Sequence, residues 1–327
     1  MKKSAETHGR TVEIRYRQAE DADLPRAAAV FRAALNAYLV PAGQPEMDDD
    51  GREEPVYRHL LRHDGERFWV AEASVEELTG GRPGTLEDDG DRIVGWGCGI
   101  VRGDWWFLSN LFVLPEAQGL GVGSSLFDLA GTGAPDGAVR ATVADSLQPI
   151  SNNLYGRRGL LPREILIGFE GVPYDSGPPA RDPGTLVPEP LAPAFIPDLV
   201  EVDAAAGGVD RAVDHAFYLT DGGRQGFLFR RAGRPAGYVM LRSDGWVGPA
   251  AAVRSADMEA VTAYGIAALS RQGLVEKVRA GVIARSEGAQ RAFWGAGLRF
   301  SGTPGLLLAS RPWGNLDRYV PASYGLF

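Results

Sequence analysis

The stretch Leu111-Phe112-Val113-Leu114-Pro115-Glu116-Ala117-Gln118-Gly119-Leu120-Gly121-Val122-Gly123-Ser124-Ser125-Leu126 constrains this chain more than any other segment. An apolar run ends at Pro115, three alternating glycines follow, and an apolar helical pattern begins. Glycine reaches positive φ and has no Cβ, so such a loop can turn its backbone N–H groups inward and let a phosphate come close. The N-terminus of the following helix adds partial positive charge. A pyrophosphate-sized anion is the natural guest; the alternative is a plain strand-to-helix turn whose glycines only start the helix. No Gly-Lys-Ser/Thr ending follows, which excludes a Walker A loop. A dinucleotide fingerprint fits poorly, because the preceding strand ends a meander instead of opening a βαβ unit.

The order of elements around this stretch can be read from periodicity. Val12 to Arg17 alternates as a half-buried strand, and Leu24, Ala28, Phe31, Leu35 and Leu39 recur at helical spacing behind the acidic start Glu20 to Asp23. A helix around Tyr57, Leu60 and Leu61 precedes a strand at Phe68 to Ala73, and the acidic stretch Glu76 to Asp91 reads as an extended hairpin loop. Ile93 to Val101 and Trp105 to Leu114 are strands joined by a turn at Arg102-Gly103-Asp104. A short helix, a strand near Val139 to Ala144, a helix near Ser151 to Arg158 and a strand from Glu164 to Phe169 complete a first half, with parallel pairing expected across the strand, helix, strand unit.

Residues 173–197 hold eight of the chain's 22 prolines, a density that predicts an extended connector without regular structure. Beyond it the order repeats: a helix at Val209 to Tyr218, strands at Gly226 to Arg230, Gly237 to Leu241 and Trp246 to Ala250, a helix from Asp257 to Leu269, a strand from Lys277 to Ile283, a helix from Glu287 to Trp294 and a strand near Leu306 to Ala309. The length of 327 residues suits two cores, so the reading is a domain at 1–172, a linker at 173–197 and a second domain at 198–327. A formal charge of −8 argues against nucleic acid as a partner. A single cysteine, Cys98, can make no internal disulfide or cysteine-based zinc site, and neither a secretory signal nor a long apolar span is present, so a cytoplasmic protein without a membrane partner is expected.

The glycine stretch resembles the acetyl-CoA signature of the GNAT superfamily of N-acetyltransferases, V-x-P-x-x-(Q/R)-G-x-G-x-(G/A). Val113, Pro115, Gln118, Gly119, Gly121 and Gly123 match it at every position, and the element order of residues 12–169 agrees. The resemblance implies an α/β (α+β) fold of two GNAT-like domains. Each would be a mixed, mostly antiparallel sheet with a central parallel pair splayed around acetyl-CoA and flanked by helices. It also implies that the backbone amides of Gln118, Gly119, Leu120, Gly121, Val122, Gly123 and Ser124 hold the pyrophosphate. The main chain of Leu111, Phe112 and Val113 would pair with the pantetheine arm.

Transfer of an acetyl group requires a neutral amine, a donor for the oxyanion and a proton for the departing thiolate. The family places a tyrosine four residues before the Gly-Phe that ends the penultimate helix. Tyr155, four before Gly159-Leu160, stands at that spacing, so the resemblance makes it the proton donor; a helical tyrosine packed on the sheet is the alternative. A phenol with an ordinary pKa of ~10 keeps its proton at neutral pH. Gln148 stands where the family usually has Asn. Glu72, Asp104, Ser109, Asn110 and Asp145 lie on or beside strands that could face a cleft, but ordered water can replace a general base in this family. His8, His59, His63 and His215 fit no metal spacing and no triad, so no metal is expected. Asp48-Asp49-Asp50 with Glu53 and Glu54 would favour a cationic amine if it formed an acceptor wall, and otherwise is a solvated loop.

In the second half, aligning Pro249 with Pro115 puts Ala252, Val253, Ser255 and Asp257 where Gln118, Gly119, Gly121 and Gly123 stand. Aligning Gly297 with Gly159 puts Phe293 at the place of Tyr155. The expectation is an acetyl-CoA-dependent N-acetyltransferase acting on a small-molecule primary amine, with a degenerate second copy. A non-catalytic acyl-CoA sensor and a protein N-terminal or lysine acetyltransferase are the rival readings.

Overall fold

The computed structural model describes residues 1–7, 10–49, 51–79, 91–174, 186–273 and 275–327. His8, Asp50, residues 80–90 of the expected hairpin loop and residues 175–185 of the expected connector lie outside the described residues. The chain forms two compact units, Met1–Val101 with Trp106–Ala138, and Arg102–Trp105 with Val139–Phe327.

The first unit contains β1 (Lys2–Thr7), β2 (Arg10–Gln18), α1 (Leu24–Leu39), α2 (Glu53–Asp64), β3 (Phe68–Ser74), α3 (Val75–Thr79), β4 (Asp91–Arg102), β5 (Trp105–Val113) and α4 (Val122–Ala130). Its strands run in the order β1-β2-β3-β4-β5. The Glu76 end of the expected hairpin loop is the helix α3 instead, with two acidic residues in its first turn. α1 starts behind a reciprocal Glu20–Asp23 capping box with a proline in its first turn, and it buries Leu24, Ala27, Val30 and Ala34. These recur every three or four residues, the spacing of one helix face.

β4 explains how α4 is seated. Gly95, Gly97 and Gly99 alternate along it, so all three lie on one face of the sheet. A Cβ on Gly95 would lie 3.2 Å from Leu126 Cδ1, and one on Gly97 3.5 Å from Leu126 Cβ, so the missing side chains form a groove into which α4 sinks. At the far end the Trp106 Nε1–H donates to the Ala130 carbonyl of the last turn of α4 at 2.9 Å, satisfying a helix-end acceptor. A Cβ on Gly99 would stand 2.3 Å from that carbonyl oxygen and 2.6 Å from the indole nitrogen. Gly99→Ala is therefore expected to destabilise the protein by about 3 kcal/mol, the overpacking cost added to a broken buried hydrogen bond. Gly65→Ala, whose Cβ would meet only Leu61 at 3.7 Å, should stay within about 0.5 kcal/mol. Thermal unfolding of the two variants checks this contrast, and equal melting points would refute it.

The second unit contains β6 (Val139–Asp145), α5 (Pro149–Gly156), β7 (Leu161–Gly171), β8 (Val187–Pro190), α6 (Ile196–Ala206), α7 (Ala212–Leu219), β9 (Arg224–Arg231), β10 (Arg234–Arg242), β11 (Val247–Ala252), α8 (Met258–Gln272), β12 (Val278–Ile283), α9 (Glu287–Gly295), β13 (Arg299–Phe300), β14 (Gly305–Ala309) and β15 (Tyr319–Val320). One group of strands runs β6-β14-β7-β12 with β13 also on β7, and a separate sheet runs β15-β11-β10-β9-β8. The expectation that residues 173–197 lack regular structure fails at their C-terminal side. Pro188 and Pro190 sit in β8 at the edge of its sheet, where a missing N–H costs no central ladder bond. Pro197 sits in the first turn of α6, where the N–H has no helical partner in any case.

Strands of the two sequence halves interlace within this unit. β14 pairs with β6 on one side (Leu307↔Val143) and with the first part of β7 on the other (Leu306↔Ile165). The last part of β7 pairs with β12 (Ala280↔Phe169) and with β13 (Arg299↔Glu170). Each half thus contributes a terminal strand to pairing with the other half's strands. Stacked Phe169 and Phe293 rings, 5.3 Å apart, lie in the core that also holds Val239, Val261, Ile266 and Val282.

Candidate active site

β5 delivers the glycine loop directly. Leu111, Phe112 and Val113 end the strand half-buried, the Leu114 N–H donates back to the Val94 carbonyl at 2.8 Å, and a single 3-10 turn at Pro115–Ala117 redirects the chain. The Gln118 amide Nε2–H donates to the Val113 carbonyl at 3.1 Å, tying the loop to the strand end. Gly119 and Gly121 then take φ of 82° and 77°, the left-handed region, and Gly121 is the N-cap of α4. Among the described residues, a Cβ on either would meet nothing within 4 Å beyond its chain neighbours. Protein packing therefore does not demand glycine there; the backbone conformation does, and the space beyond is open.

The first backbone bond of α4 runs from the Ser125 N–H to the Gly121 carbonyl at 3.0 Å, which leaves Val122 and Gly123 N–H in the first turn without a helical acceptor. Together with the helix dipole, these donors suit an anionic diphosphate. Gln118, Gly119, Leu120, Gly121, Val122, Gly123 and Ser124 form one continuous turn into a helix N-terminus.

Tyr155 belongs to the second unit. It lies in the last turn of α5, 4% exposed, and its carbonyl accepts the Leu160 N–H at 3.0 Å across Gly159, whose φ is 79°. Gln148 caps this helix, its side-chain oxygen accepting the Ile150 N–H at 3.3 Å. Of the base candidates, Glu72 is held by Arg17 at 2.7 Å, and Asp145 accepts from the Leu147 N–H at 2.8 Å and the Thr303 hydroxyl at 3.0 Å. Asn110 donates to the buried Ser109 hydroxyl at 2.7 Å, and Asp104 is exposed in the β4–β5 turn. Cys98 is fully buried, its thiol directed at the Gly99 carbonyl at 3.8 Å. Among the described residues, no group of three or more His, Cys, Asp or Glu could hold a metal ion, and no helix is long and apolar enough to cross a membrane.

The second half repeats this framework with other contents. The Val253 N–H donates to the Ala236 carbonyl at 2.9 Å as Leu114 does to Val94. A Cβ on Gly237 would lie 2.9 Å from the Ala251 oxygen, as one on Gly95 would lie 3.0 Å from the Phe112 oxygen. Ala251 therefore corresponds to Phe112, and Ala250 to Leu111. This corrects the expected alignment of Pro249 with Pro115: Pro249 lies inside β11, next to a register shift where a strand tolerates proline.

Between strand and helix the first half has residues 114–121 and the second only 253–257, eight against five, so the loop itself is gone and not merely its glycines. Asp257, expected to repel a phosphate, is bound by both guanidinium nitrogens of Arg231 at 2.6 and 2.7 Å. The helix end is conserved in geometry: the Leu298 N–H reaches the Phe293 carbonyl at 3.0 Å across Gly297, φ 87°, so Phe293 does stand in the frame of Tyr155.

One feature of this half was not legible beforehand. Trp246, just before β11, forms an isolated parallel bridge with Arg279 of β12, and farther along β15 pairs with β11 instead, Ala250↔Val320 and Ala251↔Tyr319. The chain's own strand thus pairs at the equivalents of Leu111 and Phe112. It is anchored by the Arg211 Nε–H donating to the Phe327 carbonyl at 3.0 Å and by the Arg318 Nη1–H donating to the Val253 carbonyl at 2.9 Å.

A β5-like strand, a glycine turn and a helix N-terminus set behind an antiparallel meander define the acetyl-CoA-binding fold of N-acetyltransferases. The model of the acetyltransferase (GNAT) family matches residues 31–160, in a chain whose fold is GNAT-like. A protein of Pyrococcus horikoshii assigned as an acetyltransferase superposes with a TM-score of 0.70 at 15% identity, covering 96% of each chain. A GCN5-related N-acetyltransferase of Sphaerobacter thermophilus gives 0.60 at 17%, covering 93% of this chain and 98% of that one. A tandem GNAT protein from the clavulanic acid biosynthesis pathway gives 0.51 at 13%, covering 91% and 99%. At such identities the likeness is one of fold. No curated protein matches the chain.

Proposed function

We propose that the protein transfers the acetyl group of acetyl-CoA to the primary amine of a small molecule. The observation that carries this reading is the open glycine turn, with Gly119 and Gly121 at positive φ and, among the described residues, nothing but their chain neighbours within 4 Å of an added Cβ. The Gln118–Ser124 backbone would hold the diphosphate, and the main chain of Leu111–Val113 would pair with the pantetheine arm. Bound acetyl-CoA supplies an activated thioester. A backbone N–H at the strand end steadies oxygen charge there, and the Tyr155 hydroxyl gives a proton to the departing sulfur. Glu72 and Asp145 are engaged elsewhere, which supports removal of the amine proton through water. In this reading the second half serves as scaffold, because it lacks the loop, the hydroxyl and the open strand edge together.

Thiol release from acetyl-CoA, measured across small amines and peptides, tests the proposal. Release on small amines supports it. Release on peptides alone favours a protein acetyltransferase, and binding without release on any acceptor favours a sensor.

A further inference from the structure

On the helical side of the first unit, four buried polar atoms have no hydrogen-bond partner among the described residues: the Tyr57 hydroxyl, Glu53 Oε2, Arg32 Nη1 and Trp96 Nε1. Tyr57 is only 3% exposed and Trp96 wholly buried. Leaving such groups unpaired is costly, so their gathering in one place calls for a ligand that pairs them. Glu53 and Tyr57 are four residues apart on α2 and share a face. Burial raises the Tyr57 hydroxyl well above the usual tyrosine range, the charge of Glu53 raises it further, and Arg32 acts the other way, so both charges are felt at the phenol end.

Around these atoms the rings form a wall. Tyr57 meets Trp96 edge-on at 4.8 Å, Phe31 meets Phe112 at 4.8 Å, and Trp96 lies 5.7 Å from Phe112. Arg32 is already bound through Nη2 to Asp49 at 2.8 Å, so Arg32, Asp49 and Glu53 leave one negative charge. Aromatic faces and a carboxylate with a free oxygen are the chemistry that selects a cation on an apolar stem. Phe112 belongs to the strand end assigned above to the pantetheine arm, so the cluster adjoins the acetyl donor in that reading.

We infer that Glu53 and Tyr57 receive the ammonium group of a small apolar monoamine, an arylalkylamine or similar, whose stem lies against Phe31, Trp96 and Phe112. The inference rests on the acetyltransferase reading and names its acceptor class. Arg32 Nη1 offers a donor to an oxygen carried by the same molecule.

The test is steady-state thiol release by the full-length protein at saturating acetyl-CoA, with tyramine and 2-phenylethylamine as probes and putrescine as the dication. Glu53→Gln is expected to raise the amine KM about 10- to 100-fold and Tyr57→Phe about 10-fold, with kcat nearly kept and acetyl-CoA affinity unchanged. Glu53→Asp should recover part of the loss. Unchanged amine KM in both variants, or preference for putrescine, overturns the subsite while leaving the transferase standing. If the wild type releases no thiol with any amine, the transferase reading falls. Amine binding is then followed by calorimetry with CoA present, where equal affinity of wild type and Glu53→Gln overturns the subsite as well.

Discussion

Gly121→Val is expected to abolish acetyl-CoA binding while leaving the protein folded. Gly121 sits at φ 77° as the N-cap of α4, so a β-branched residue costs about 1–2 kcal/mol of backbone strain. Among the described residues, no atom beyond its chain neighbours lies within 4 Å of the added Cβ, so packing adds no further cost. The melting point should fall by only about 2–8 °C. A diphosphate is different, because the valine side chain occupies the approach and the strained turn re-aims its amides. Loss of two charge-assisted hydrogen bonds, about 3 kcal/mol or more, corresponds to at least ~100-fold in affinity.

Calorimetry should show one acetyl-CoA per wild-type chain and no detectable binding in the variant, since the second half has neither loop nor open strand edge. Gly43→Val controls for strain: it has φ 74° and nothing within 4 Å, lies in the loop after α1, and should lose similar stability but no affinity. Equal affinity of wild type and Gly121→Val would remove the cradle from the mechanism.

The glycine turn before α4 was legible because its requirement is local. Positive φ at alternating positions before a helix can be met almost only by glycine, so the backbone's need is written as residue type. The same holds for the matched helix ends at Gly159 and Gly297, which placed Phe293 opposite Tyr155 correctly. What periodicity could not show is pairing between segments far apart in the chain. β15 is two residues long and β13 likewise, too short to alternate, and each exists because a strand edge elsewhere accepts it. The alignment of Pro249 with Pro115 failed for a related reason, because a proline says that an N–H is missing and not which element lacks it. The aromatic wall around Tyr57 was hidden too. Phe31, Tyr57, Trp96 and Phe112 come from four elements and read separately as core residues, and only the orphaned polar atoms of Tyr57, Trp96, Glu53 and Arg32 set the cluster apart.

Tyr155→Phe is expected to lower kcat by about 10²–10⁴-fold, the range for loss of a positioned general acid, with acetyl-CoA affinity unchanged. The fold should tolerate the change, because the second half carries that substitution already. Phe293 occupies the same helix end, with the same bond from the residue just after a left-handed glycine, fully buried against Phe169. Removing one hydroxyl from a buried ring costs about 1 kcal/mol of stability, too little to unfold the protein. The distinction from a structural tyrosine lies in which constant moves. A packing role would lower melting point and kcat together and would spare the dependence on the acyl donor's leaving group. A proton donor leaves the melting point nearly intact, and its loss is felt less with a donor whose thiol is more acidic, since that thiolate departs without help. Turnover of Tyr155→Phe within a factor of about three of wild type, on the amine that the wild type acetylates best, would assign the hydroxyl to packing.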